Sequence, residues 1–182
     1  MRLGRIGLGL AAMLLGCAPA WGQFAVYGEA SGANLQFPNS HNMYGSTFGM
    51  YLTKRYGPVT VGPDARGAMI KRGGNNGQYT DQALDYGQFG LRVAAAPGTI
   101  PFLKGAMPYA EGTVGLAYWR GGIGPARQEA MHGMIQVVGG VDYKVWRQIQ
   151  WRVVEFTYGR AGAMPGNINP ETLSTGIVVQ FP

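Results

Sequence analysis

Apolar and polar residues alternate along this chain with a period of two, and Gly or Pro interrupts every run before it could make a helix of convincing length. Alternation of that kind selects strands, because successive side chains of a strand point to opposite faces. Eight segments carry it: 23–31, 44–53, 59–72, 83–96, 106–119, 130–145, 148–159 and 171–182. In the fourth, Phe89, Leu91 and Val93 oppose Tyr86, Gln88 and Arg92; in the fifth, Ala110, Val114, Leu116 and Tyr118 oppose Tyr109, Glu111 and Thr113. Pro63 has no N–H to give to a ladder, so a bulge or irregularity is expected in the third. The 31 glycines follow no triplet period, which excludes collagen. They suit a sheet whose side chains must clear one another on a crowded inner face.

A leader precedes the strands. Arg2 and Arg5 stand before the apolar run IGLGLAAMLLG, and APAWG supplies the small residues a signal peptidase needs. The run is too short to span a bilayer as a stable helix. Residues 1–22 therefore read as an export signal and 23–182 as one domain, long enough to bury a sizeable interior. Cys17, the single cysteine, lies in the leader, and two readings fit it. Leu14-Leu15-Gly16-Cys17 resembles a lipoprotein box, which would make Cys17 a lipidated first residue. Alternatively, cleavage falls after Ala20 or Gly22, and the mature chain has no disulfide to support it. The net charge is +6, of which Arg2 and Arg5 contribute two. The basic residues are scattered, and pairs such as Lys54-Arg55 and Lys71-Arg72 make no stripe, which argues against nucleic-acid binding. A positive balance is compatible with an anionic membrane surface.

Connections after the odd-numbered segments are long, polar and Gly-rich, whereas those after the even-numbered ones tend to be short. Long and short connections then lie at opposite ends of a meander, the pattern of outer-membrane barrels. The expected fold is all-β: an eight-stranded antiparallel up-and-down transmembrane β-barrel. Hydrocarbon offers the backbone no partner, so the first and last strands must pair. The less apolar phase of the strands, which faces the lumen of such a barrel, carries Glu29, Asp64, Arg66, Arg92, Glu111 and Asp142. An eight-stranded lumen holds side chains and little else, so these charges are expected to pair across strands as a structural network.

Phase is ambiguous in 148–159. Arg152 shares one with Val154, Phe156 and Tyr158; Glu155 shares the other with Trp151, Val153 and Thr157. In a regular strand one of the two ionisable groups faces outward. Arg152, near the strand start, could snorkel to the interface, which assigns Glu155 to the lumen; a bulge would instead reset the phase. Aromatics near strand ends, namely Tyr27, Tyr44, Tyr56, Phe102, Trp119, Trp146, Trp151, Tyr158 and Phe181, suit the two membrane interfaces.

Motifs for chemistry are absent. His41 and His132 are far apart and begin no ligand-spaced cluster. There is no GxSxG, no P-loop and no calcium loop, and GGNNG has no helix behind it to cradle a phosphate. Neither catalytic residues nor a metal or cofactor is expected.

The stretch GGVDYKVWRQIQWRVVEFTY, 139–158, and the closing GIVVQFP resemble the OmpA-like eight-stranded outer-membrane β-barrel superfamily, and the resemblance covers about residues 23–182. Pro182 follows Phe181 where such barrels usually end on an aromatic. QFAVYGEASGANLQFPN and WRVVEFTYG are also similar to small barrel proteins of Acidobacteria. The resemblance implies a fold, outer-membrane lipid around it and the barrel-assembly machinery as a partner during insertion, with no activity of its own. The expected protein is a monomeric integral outer-membrane barrel with a structural or surface-interaction role. A surface ligand would be met by the outer loops, near 32–43, 73–82, 120–130 and 160–170. Two rivals remain: an exported soluble barrel binding a small apolar ligand, which needs Phe89, Leu91, Val93, Val114 and Leu116 packed inward, and a narrow outer-membrane pore, which needs an open lumen.

Overall fold

The computed structural model of the chain describes residues 22–35, 42–72, 82–99, 105–121, 128–162 and 169–181. The export leader with Cys17, along with His41, Phe102 and Pro182, lies outside the described residues. Eight strands follow one another: β1 (Gln23–Asn34), β2 (Met43–Tyr56), β3 (Val59–Arg72), β4 (Gln82–Ala95), β5 (Ala106–Gly121), β6 (Gln128–Lys144), β7 (Ile149–Ala161) and β8 (Glu171–Phe181). Each pairs antiparallel with the next, and β8 returns to β1 to close the barrel. The closing ladder runs from Phe24 opposite Phe181 to Asn34 opposite Glu171. The even strand number makes that last pairing antiparallel, and no strand is left as an edge.

Three connections lie at one end. Gly57 takes φ 60°, a conformation that Gly adopts without a Cβ penalty, and turns β2 into β3. Gly98, at φ 79°, does the same in the longer β4–β5 connection. The β6–β7 turn is held by the N–H groups of Val145 and Trp146, both donating to the carbonyl of Ile149 at 3.1 and 3.0 Å. Irregularity at Pro63 takes the form of a gap. Pairing to β2 is interrupted there, but Tyr51 faces Asp64 and Lys54 faces Val61 in one unchanged register, so no residue is inserted.

The wall is apolar outside. Phe89, Leu91, Val93, Val114 and Leu116 are 41–62% exposed, the reverse of what a ligand-binding soluble barrel requires. Tyr44 and Tyr158 stand outward at the loop end, and Tyr56, Tyr143, Trp146 and Trp151 stand outward at the turn end. Two aromatics expected at the interfaces are not there. Tyr27 is buried in the lumen, where its hydroxyl donates to Asp64, and Trp119 packs inward on an apolar cluster. Both occupy the inward phase of their strands, and proximity to a strand end did not override it.

Inward glycines make room for these rings. A Cβ on Gly49 would lie 2.4 Å from the Tyr27 hydroxyl, and one on Gly140 would lie 2.5 Å from the Tyr109 ring. Outward Gly133 has nothing within 4 Å of such an atom. Gly140→Val should therefore destabilise the barrel by about 1–3 kcal/mol through overpacking, whereas Gly133→Val should be near neutral. Urea titration of the protein refolded in lipid vesicles, read by heat-modifiable gel migration, measures the difference.

Candidate functional site: the barrel lumen

Three arginines and five carboxylates meet inside the barrel: Arg66, Arg92 and Arg152 with Glu29, Asp64, Glu111, Asp142 and Glu155, each no more than 5% exposed. Six strands contribute them. β1 gives Glu29, β3 gives Asp64 and Arg66, β4 gives Arg92, β5 gives Glu111, β6 gives Asp142, and β7 gives Arg152 and Glu155. Their positions follow from alternation alone on five of these strands. On β7 they do not.

Arg152 corrects the sequence reading, which sent it to the interface. Its side chain is 0% exposed, and Glu155 is 1% exposed. The β7–β8 register shifts between the two residues, so Val153 and Val154 both face outward, at 37% and 39% exposure, and two ionisable groups of opposite sequence phase face inward. The irregularity frees the carbonyl of Arg152, which accepts a hydrogen bond from the Thr175 hydroxyl at 2.9 Å. Thr175 accepts in turn from the Trp151 indole N–H at 3.2 Å. The bulge is thereby satisfied on the outer face without water.

Carboxylates outnumber guanidiniums, so each arginine is shared. Arg152 reaches Glu29 at 2.5 Å, Asp142 at 2.9 Å and Glu155 at 3.0 Å. Arg66 donates through Nη1 and Nη2 to the two oxygens of Glu155, both at 3.0 Å, and lies 3.0 Å from Glu111 and 3.4 Å from Asp64. Arg92 bridges Glu111 at 2.5 Å and Asp142 at 2.6 Å. Tyrosines complete the packing. Tyr109 donates to Glu155 at 2.6 Å, and the Arg92 guanidinium lies 3.5 Å from the centre of the Tyr109 ring. Arg152 lies over Tyr27 at 4.3 Å. Planar forks that engage carboxylates two at a time and stack on rings are what Arg offers and Lys does not. Among the described residues no group of three or more His, Cys, Asp or Glu side chains is placed to hold a metal.

The lumen changes character along its axis. Toward the turns, a small mouth is lined by Thr53, Gln150 and Gln180 down to Arg92 and Asp142. Beyond the charges, toward the loops, come hydroxyls and amides: Ser31 contacts Thr47 and Ser174, both at 2.8 Å, and Thr113 donates to Gln88 at 3.1 Å. Nearest the loops lies an apolar cluster of Ala33, Leu35, Met43, Ala68, Ile70, Leu84, Tyr86, Ala117, Met134 and Ala161, with Trp119 against it. Sequence reasoning missed this layer. Its signal was present, because the inward phase turns from polar to apolar in the last turn-to-loop steps of β3, from Arg66 through Ala68 to Ile70, and in the first of β4, from Leu84 to Gln88.

Known structures share this architecture. Ail, the attachment invasion locus protein of Yersinia pestis, superposes with a TM-score of 0.61 at 9% identity, covering 88% of this chain and 99% of Ail. Neisserial surface protein A gives 0.61 at 16% identity over 88% of this chain and 99% of its own. The N-terminal β-barrel domain of Pseudomonas aeruginosa OprF gives 0.50 at 10% identity, covering 86% and 97%. This chain has the fold of the eight-stranded outer-membrane β-barrels. No family model and no curated protein matches the sequence. A further Ail structure, at TM-score 0.55 and 9% identity, is of its complex with the heparin analogue sucrose octasulfate.

Removing one member of a buried ion network leaves its partners charged and unpaired, at a cost of about 3–5 kcal/mol. Arg152→Met leaves Glu29 without its guanidinium, while Asp142 keeps Arg92 and Glu155 keeps Arg66, and should cost about 3 kcal/mol. Arg120 pairs with Asp85 at 3.1 Å near the loop end, and both are about one-third exposed. Arg120→Ala should cost less than about 1 kcal/mol. Equal losses in vesicle unfolding titrations would contradict this ranking.

Proposed function

We propose that the mature protein is a small integral outer-membrane barrel with a sealed lumen, acting as a structural wall element that presents its long loops at the cell surface. The observation that carries the reading is the inverted wall: an apolar outer belt between two sets of outward aromatics, around an interior of paired charges. A belt of this kind, about 25 Å tall and flanked by aromatic girdles, is what a bilayer selects. Lys54, Arg55, Lys144 and Arg147 are exposed at the turn end, where anionic headgroups would meet them. The likeness to Ail, Neisserial surface protein A and OprF supports the same location.

No catalytic step belongs to this reading. Residues 23–182 form the barrel domain after the leader at 1–22 is removed. The chain is inserted by the barrel-assembly machinery and works as a monomer, with outer-membrane lipid as its constant partner. Any surface ligand is met by the connections that follow β1, β3, β5 and β7, near 32–43, 73–82, 120–130 and 160–170. The narrow-pore alternative loses ground on the lumen itself. An ion entering from the turns would meet first the charge network and then an apolar layer that cannot solvate it.

Fractionation tests the location. The mature protein should remain with washed outer membranes, be released by detergent, and migrate differently on gels with and without heating. Recovery in the soluble periplasmic fraction would overturn the reading. In planar bilayers the purified protein should give no unitary current steps. Arg92→Gln should be silent too, because the apolar layer persists when the charge network is altered. Stable steps from the unaltered protein would restore the pore.

A further inference from the structure

Side-chain charge at the turn end has one sign. The segments that form that end, 53–60, 94–107 and 143–150, contain Lys54, Arg55, Lys104, Lys144 and Arg147 and no Asp or Glu. Strand ends on the loop side carry both signs, with Arg72, Asp85, Arg120, Glu129 and Glu171. The β2–β3 hairpin engages its own cations. Arg55 donates to the carbonyl of Gly57 at 3.0 Å, and the Lys54 ammonium lies over the Tyr56 ring at 5.8 Å. The β6–β7 hairpin, half the circumference away, does not. Lys144 and Arg147 are exposed, and among the described residues neither side chain has a carboxylate or a ring as partner. Beside these two cations the hairpin is apolar. Val145, Trp146 and Ile149 are exposed at the turn, and the cross-strand pair Tyr143 and Trp151 continues them outward to the belt. A cleft of about 410 Å3 opens along Trp146, Arg147, Gln148 and Ile149. Its backbone is held from both sides: the Lys144 N–H donates to the Gly105 carbonyl at 2.9 Å, and the Gln180 N–H donates to the Gln148 carbonyl at 2.8 Å. The hairpin is therefore a preformed platform with a wet, cationic tip and an apolar flank.

We propose that the β6–β7 hairpin binds one anionic phospholipid of the periplasmic leaflet, with its phosphate on Arg147 and Lys144 and an acyl chain laid over Trp146, Ile149 and Trp151. The inference rests on the membrane reading above and deepens it by naming the lipid class and the place. Arg147 offers a planar fork that phosphate oxygens accept from two at a time, and Lys144 adds a point charge on the same hairpin. Trp146 is an amphipathic ring at the level where headgroups meet hydrocarbon. Charge selects the headgroup. A zwitterionic, amine-headed lipid brings its own cation, which meets no Asp or Glu side chain at this end and is repelled by Lys144 and Arg147. A headgroup of net negative charge meets cations alone, each contributing to attraction at an anionic surface.

Native mass spectrometry of the full mature protein tests this, after refolding in vesicles of equal phosphatidylethanolamine and phosphatidylglycerol and removal of bulk lipid in detergent. One phosphatidylglycerol should stay bound per barrel, in preference to phosphatidylethanolamine. Arg147→Gln and Lys144→Gln should each lower that retention about fivefold, the scale of one basic side chain at an anionic surface. Arg147→Lys should lower it less than Arg147→Gln. Lys71→Gln removes the same charge from the exposed loop end of β3 and should leave retention unchanged. The pair Lys54→Gln and Arg55→Gln should lower it less than the pair Lys144→Gln and Arg147→Gln. Each variant replaces an exposed side chain and should keep heat-modifiable migration; should Arg147→Gln lose it, Lys144→Gln takes its place in the comparison. Equal retention of the two lipids, or unchanged retention in the β6–β7 variants, overturns the proposal while leaving the membrane reading intact. Equal losses from the two pairs assign the lipid to a diffuse collar and also overturn it, as does displacement of the lipid by excess inorganic phosphate, which assigns the cations to a free anion. Failure of the unaltered protein to enter vesicles at all overturns both readings together.

Discussion

Backbone pairing in a medium without water is the constraint from which the rest of this molecule follows. An edge strand in hydrocarbon leaves a row of N–H and C=O groups without partners, each at a cost of several kcal/mol. The ladder from Phe24–Phe181 to Asn34–Glu171 removes both edges at once. Closure with eight strands also fixes how little space remains inside. Every inward residue is then chosen for fit as well as polarity. That is why Tyr27 lies over Gly49 and Tyr109 lies over Gly140, with the arginines stacked on those rings.

Buried ion pairs are poor evidence of stability, since desolvating the ions offsets much of their attraction. Their value in this barrel is better argued from register. The strand period is two, so a slip of one residue would turn a whole strand inside out. A slipped β3 or β5 would carry Arg66 or Glu111 into the lipid, and for an arginine at mid-depth the cost is about 2–4 kcal/mol. The same slip would place Met69 or Leu116 where the lumen has no room. Polar and apolar phases thus specify the pairing jointly. β7 is the instructive exception. It carries an ionisable residue on each phase, and the chain resolves the conflict by a local irregularity whose freed carbonyl is satisfied through Thr175 and Trp151.

Strand number, order and facing were legible in the sequence because a two-residue period leaves few choices once the polar phase is known. Arg66 and Glu155 show where legibility stops. Alternation places Arg66 in the lumen, but its bidentate contact with a carboxylate 89 residues away depends on how far the strands tilt, which no local pattern encodes. For Arg152 the sequence posed the right conflict and left two resolutions, interface or bulge. The snorkelling argument weighed only the side chain. It left out the gain from bringing a third guanidinium to five carboxylates. Tyr27 and Trp119 were drawn outward by their nearness to strand ends, a preference weaker than strand phase.

The apolar layer gathers the strand ends that flank the four long connections. Leu35 and Met43 flank the first long loop, Ile70 and Leu84 the second, and Trp119 and Met134 the third, while Ala161 precedes the fourth. All of them meet in one cluster inside the barrel. Each loop is therefore anchored at its base by burial, independently of its own sequence. The charge network sits below, toward the turns, and holds the register of the strands. Separating the two tasks along the axis lets a loop change without disturbing the ion pairs. It also leaves the loop-facing mouth capped by side chains that exclude water. The chemistry of the wall itself is directed inward to its lumen and outward to lipid.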